Sequence, residues 1–138
     1  MKKKLTIALI ATTASTINSF MLRNIKILSN QYNLLIFCSD AISLKKKIPK
    51  KVSLININFK RKPNLISDFI TFMILIYFLY KNKPNLTISI SPKAGFITAL
   101  SSFITKVPCR IHWFTGQLWV TKKGFIRFFY KTLDQIIF

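Results

Sequence analysis

Residues 91–123 read SPKAGFITALSSFITKVPCRIHWFTGQLWVTKK, and the order of their parts decides the fold. Ser91-Pro92 has the chemistry of a helix start. A serine oxygen can accept from orphan amides, and proline at the first helical position lacks only an amide that has no partner there. Ala94 and Gly95 are small, so backbone or ligand can approach the first turn, where Lys93 adds a positive charge. The helix is expected over 93–106 and stops at Val107-Pro108. Residues 109–114 then form a short apolar strand that opens into Thr115-Gly116-Gln117-Leu118-Trp119. Open α/β sheets bind ligands where strand ends carry polar loops side by side, so this stretch marks a candidate site.

The rest of the chain repeats the same alternation. Residues 4–11 (KLTIALIA) are a nearly continuous apolar run, as a parallel strand buried on both faces requires. A small, hydroxyl-rich turn follows at 12–16. From Ile17, apolar residues recur at helical spacing through Phe20, Met21, Ile25 and Leu28, with Ser15 or Thr16 as the expected cap. Residues 33–38 read as strand two, and 43–51, with five lysines, as a solvated loop. Residues 52–57 read as strand three, 58–63 (NFKRKP) as a basic exit loop, and 65–82 as a long helix apolar around most of its circumference. Strand four is expected at 86–90, a last helix at 124–135, and the start of a sixth strand at 136–138. Strands alternating with helices at this spacing predict an α/β domain, a Rossmann-like, doubly wound parallel sheet spanning 1–138.

Composition narrows the partners. Twenty-two Lys and Arg stand against Asp40, Asp68 and Asp134, with no glutamate, for a net charge of +19. Such a balance calls for an anionic partner, or else reflects drift toward Lys, Ile, Asn and Phe together. With 51% apolar residues and thirteen Phe, the chain is no disordered tail. Cys38 and Cys109 both fall in apolar strand-like runs and are expected as buried, reduced thiols. One His and two distant Cys make no metal spacing, so neither metal nor cofactor is expected.

Two segments imitate membrane signals. Lys2-Lys3-Lys4 before an apolar run resembles a signal peptide, but the helical pattern that follows favours a buried first strand. Residues 69–80 hold only Thr71 as a polar residue, yet are shorter than the roughly 20 residues a spanning helix needs. The last helix is chemically distinct. Lys123, Arg127 and Lys131 form a basic stripe at i, i+4, i+8, and Phe125, Phe128, Phe129 and Leu133 take the other side. That pattern suits a membrane surface; it equally describes an ordinary amphipathic helix with its aromatics in a core.

In a parallel sheet the loops after strands share one edge. Lys60-Arg61-Lys62, Lys93 and Lys122-Lys123 all follow strands and gather there with Thr12, Thr13, Ser15 and Thr16. Positive charge on that edge suits a phosphate or diphosphate ligand.

The turn at 11–16 (ATTAST), the SPKAG segment at 91–95 and RIHWFTGQLW at 110–119 resemble the N-terminal domain of a family 4 glycosyltransferase, closest to enzymes extending bacterial surface polysaccharides on polyprenyl diphosphates. The resemblance spans essentially the whole chain. It implies the N-terminal half of a GT-B fold, truncated, with the C-terminal donor domain and its acidic motif absent. It implies an acceptor site made by Thr12, Ser15, Thr16, Ser91, Lys93, Thr115, Gly116, Gln117, Trp119, Lys122 and Lys123, with no catalytic residue in this chain. Many relatives carry a histidine at the end of strand five. Here Thr115 stands at that end and His112 lies three residues back, so His112 is expected as a satisfied interior residue. Trp119 either stacks on a sugar ring or braces its loop, and Gly116 serves the turn.

The implied function is a hexosyl-type glycosyltransferase half, inactive alone. Its implied partners are a lipid-linked sugar acceptor, a nucleotide sugar held through the missing domain, and an anionic membrane surface met by Phe125, Arg127, Phe128 and Lys131. Its implied place is cytoplasmic, peripheral on the inner face of the plasma membrane. Two other classes stand beside it. A basic nucleic-acid binder has the charge but no recognisable motif, and nucleic acid is not expected as a partner. A small single-span membrane protein would use residues 66–80.

Overall fold

The computed structural model describes residues 4–60, 64–116 and 118–137. Strands β1 (Thr6–Thr13), β2 (Asn33–Ser39), β3 (Ser53–Asn56), β4 (Leu86–Ile90) and β5 (Cys109–Trp113) form one sheet in the order β3-β2-β1-β4-β5, every pair parallel. The order reverses direction between β1 and β4, the topological switch point of a doubly wound sheet. Strand β1 is the central one. Ile7, Leu9 and Ala11 point to one face and Ala8 and Ile10 to the other, all buried.

Helices α1 (Ala14–Phe20) and α2 (Leu22–Gln31) cover the first face, with Ile17 and Ile25 fully buried against Leu9, Ile36 and Ile90. Helices α3 (Leu65–Asn82) and α4 (Pro92–Ile104) cover the second, where Leu75, Leu79 and Ile97 pack on Ile10 and Phe37. Each such side chain contributes roughly 1.5–3 kcal/mol by leaving water. Helix α3 is long and apolar enough to cross a membrane by length and composition. Here it is a layer of the domain, with Thr71, Leu75 and Leu79 seated on the sheet side. Asn64 caps it, accepting from the Ser67 amide at 2.8 Å, while Asp68 accepts from the Asn64 amide at 3.1 Å. This is a reciprocal cap.

Several local expectations need correction. The cap of α1 is Thr13, not Ser15 or Thr16, because β1 runs on to Thr13 before the chain turns. The helix after β1 is broken at Met21, whose φ of −122° ends α1 and starts α2. Strand β3 is shorter than residues 52–57. The lysine-rich loop is not wholly solvated, since Leu44 and Ile48 are buried under a 3-10 turn at Ala41–Leu44. Cys38 is buried but Cys109 is exposed, because β5 is an edge strand of the sheet. Helix α5 (Gly124–Ile137) absorbs residues 136 and 137, so no sixth strand starts there; Phe138 lies outside the described residues. Its aromatics do not enter a core: Phe125 is 81% exposed and Phe128 67%.

Candidate functional site at the carboxyl edge of the sheet

At the switch point the ends of β1 and β4 meet. The Ser91 hydroxyl donates to Thr12 Oγ1 at 3.2 Å, across the crevice where this sheet order binds ligands. Thr13 and Thr16 form the adjoining wall. The Thr16 amide donates to Thr13 Oγ1 at 3.3 Å, and the two hydroxyls lie 3.1 Å apart. Ser15 stands exposed beside them.

Ser91 itself is unusual. It holds φ 78° and ψ 143°, a region that L-residues with a Cβ seldom enter, and its side chain makes no capping bond to α4. The expectation that its oxygen caps the helix is therefore wrong. Its hydroxyl is turned back to Thr12 instead. Such a conformation costs on the order of 1–3 kcal/mol and persists where the surroundings over-determine it, most often at functional sites. No feature of the sequence signals it.

Lys93 lies at this edge and is engaged. Its ammonium sits 2.6 Å from Asp68 Oδ1 and donates to the Lys60 carbonyl at 2.7 Å. It thus ties α4 to α3 and to the loop after β3. Lys60 lies in that loop, while Arg61 and Lys62 lie outside the described residues.

The loop after β5 carries Thr115 and Gly116, both exposed; Gln117 lies outside the described residues. A 3-10 turn at Leu118–Thr121 follows. In it the Trp119 indole donates to Asp134 Oδ2 at 2.9 Å, and Arg127 and Lys131 sit over the ring, 5.5 and 5.9 Å from its centre. Trp119 therefore braces its loop against α5. Lys122 and Lys123 are exposed just before that helix.

Behind this edge, His112 shares its Nδ1 with the Ser89 hydroxyl at 2.8 Å. Burial lowers its pKa below the usual 6.5, with Asp134 pulling the other way. Its Nε2 is buried without a hydrogen-bond partner among the described residues. A Cβ on Gly95 would fall 2.4 Å from His112 Cε1, so that glycine is required by the ring, not by a ligand. His112 is thus satisfied at one nitrogen and not at the other, where the sequence reading expects a satisfied interior residue.

These residues can hold a hydroxyl-rich or anionic ligand. Of the three carboxylates, Asp68 is taken by Lys93 and Asp134 by Trp119. Among the described residues no group of three His, Cys, Asp or Glu gathers to hold a metal.

No protein-family model matches the chain. Over 80 residues it is 36% identical to the capsular polysaccharide biosynthesis glycosyltransferase CapM of Staphylococcus aureus, covering 58% of this chain and 21% of that protein. A UDP-N-acetylglucosamine 2-epimerase from Rickettsia bellii superposes with a TM-score of 0.70 at 15% identity, over 97% of this chain and 37% of that one. MurG of Acinetobacter baumannii does so at 0.64 and 13%, over 96% and 39%. The chain thus spans about a fifth of its sequence relative and under two-fifths of these structures. The domain has the Rossmann-like fold of one half of a GT-B protein, and the resemblance to a GT-B glycosyltransferase domain is borne out.

Proposed function

We propose that this domain is the acceptor-side half of a glycosyltransferase that builds a bacterial surface polysaccharide on a polyprenyl-diphosphate lipid. The observation that carries the reading is the Ser91–Thr12 hydroxyl pair at the switch point, held by a strained backbone, in a chain 36% identical over 80 residues to a capsular glycosyltransferase. Thr12, Ser15 and Thr16 approach the acceptor sugar. Lys122 and Lys123 supply charge for its diphosphate, with Lys93 holding the edge in shape. Thr115 to Trp119 shape the pocket wall.

The nucleotide-sugar donor is held by a second domain, and this stretch alone transfers no sugar. Catalysis here is positioning, and half of a cleft cannot bring donor and acceptor into attack geometry. Helix α5 lies on the anionic inner leaflet of the plasma membrane through Phe125, Phe128, Arg127 and Lys131. The exposure of its phenylalanines supports that orientation, and each Lys or Arg near such a surface adds about 1 kcal/mol.

The test is binding of a short-chain probe, farnesyl-diphosphate-linked N-acetylglucosamine. Thr12→Val and Ser91→Ala are expected to weaken it about tenfold each, as lost hydrogen bonds to a bound polar group do. Unchanged affinity in both variants defeats the site. Liposome flotation tests the membrane arm: equal recovery with anionic and neutral vesicles defeats its electrostatic part.

A further inference from the structure

Helix α3 is apolar on the side turned to water as well as on the side turned to the sheet. Of its 18 residues only Thr71, Leu75 and Leu79 are buried. Ile66, Phe69, Ile70, Met73, Tyr77 and Tyr80 recur at helical spacing on the other side, from 49% exposed at Met73 to 76% at Ile66. A contiguous apolar strip about 22 Å long is more than a lone domain shows to water, and marks an interaction surface.

The chemistry of the strip selects its occupant. Every exposed side chain from residue 65 to 74 is a hydrocarbon or a thioether, and the first exposed hydroxyls are those of Tyr77 and Tyr80. Protein interfaces make about one hydrogen bond per 100–200 Å². Over its first turns this strip offers a protein partner no side-chain group to bond, whereas acyl chains need none. Charge points the same way. Lys81 lies on the same side, 5.9 Å from the centre of the Tyr77 ring, and Lys83 stands exposed just beyond. With a net charge of +19, a second copy is repelled and an anionic headgroup layer attracted. Tyrosine and lysine bordering an apolar strip suit the depth of the headgroups.

We infer that the outward strip of α3 lies flat in the interface of an anionic lipid bilayer, with Ile66, Phe69, Ile70 and Met73 among the upper acyl chains and Tyr77, Tyr80 and Lys81 at headgroup level. The inner side of the helix keeps it flat. Leu75 and Leu79 pack with Ile10 and Phe37, so α3 cannot turn into the bilayer without opening that core. A helix long and apolar enough to cross a membrane thus lies on one. This deepens the membrane contact proposed above and rests on it: α5 supplies attraction there, and α3 supplies insertion.

The experiment is flotation of the whole chain with phosphatidylglycerol vesicles, in low salt and in about 0.5 M NaCl, where charge attraction is largely screened. Recovery is expected to fall in high salt and to leave a salt-resistant part. Ile66→Ser and Phe69→Ser, at exposed positions outside the core, should each lower vesicle affinity about tenfold, and together remove the salt-resistant part. A second readout removes no contact. Phe69→Trp fluorescence, read against the wild-type tryptophans, should be quenched by lipids brominated near the headgroup end of their chains. Ile27→Trp, exposed on α2 across the sheet, should not be. Loss of all binding in high salt, wild-type affinity in both serine variants, or equal quenching at 69 and 27 each overturns the assignment. So does a wild type that ignores vesicles but self-associates until Phe69→Ser makes it monomeric. The double variant Arg127→Gln/Lys131→Gln should lower recovery in low salt only. If it has no effect while the serine variants behave as expected, the α3 surface stands and the α5 contact falls. The reverse pattern keeps α5 and overturns α3.

Discussion

The Ser89 hydroxyl and His112 Nδ1 lie 2.8 Å apart across the β4–β5 ladder, on the face of the sheet covered by α4. The imidazole they fix is the spacer between outer strand and helix. Phe114 meets its edge with ring centres 4.4 Å apart, and Gly95 lies against its Cε1. A methyl group at residue 95 has nowhere to go unless the ring moves. Gly95→Ala is therefore expected to destabilise by about 1–3 kcal/mol through overpacking, even though alanine is the better helix former by roughly 1 kcal/mol. Urea denaturation measures the loss. The double variant Gly95→Ala/His112→Ala should recover part of the Gly95→Ala penalty, and an additive double mutant would show that the two residues do not meet.

The same burial sets a pH dependence. His112 has its pKa lowered from 6.5 in the folded chain, chiefly by desolvation. Between the folded value and 6.5 the unfolded chain binds more protons, so stability rises with pH through that window and is lost as pH falls below about 6.5. Above it the contribution is complete. Thermal midpoints recorded from pH 8 to pH 5 should hold level and then decline. The decline should shrink in His112→Gln, which cannot take up the proton. A decline of the same size in that variant would assign it to other groups.

The two cysteines should separate cleanly. Cys38 is buried, and desolvation with the nearby Asp40 charge pushes its thiol up to about 12, where almost no thiolate exists at neutral pH. Cys109 stands exposed on the outer strand. A thiol reagent such as Ellman's should modify Cys109 quickly in the native chain and reach Cys38 only on unfolding. Cys109→Ser should abolish the fast phase and leave the slow one. Fast reaction at both would mean that β2 is open to solvent.

The alternation of strands and helices was legible because it is written locally. Residues 86–90 and 65–82 carry their own apolar runs and end signals, and these two elements fall where the pattern puts them. The neighbourhood of β1, β4 and β5, and so the shared edge, follows from the doubly wound order. What was not legible depends on encounters between distant residues. Cys109 reads as buried from its apolar neighbours, but its exposure is set by β5 being outermost. The pairing of Lys93 with Asp68 needs α3 and α4 to pack side by side. The turned backbone of Ser91 needs Thr12 opposite it, which no spacing along the chain encodes. The faces of α5 were evident, but a hydrophobic period says which residues share a side and not what covers them.

Trp119 and Asp134 decide whether the loop after β5 and helix α5 move as one. The carboxylate is buried, and the indole N–H at 2.9 Å is a neutral donor to it. Trp119→Phe keeps much of the ring but leaves that oxygen without this donor, a cost of about 1–3 kcal/mol, more where the acceptor is charged. The loss should be local, because α5 packs on α4 and on the turn at Leu118–Thr121, while the central strands lie beyond that contact. Hydrogen exchange should therefore quicken in α5 and in residues 118–123, with β1 and β2 unchanged. Asp134→Asn, which keeps a carbonyl acceptor for the indole, should loosen the same segment less. If the loop lines the edge proposed for the acceptor and α5 meets the membrane as proposed, the variant should lose probe affinity and anionic-vesicle binding together. Loss of one without the other would show that the bond does not couple them.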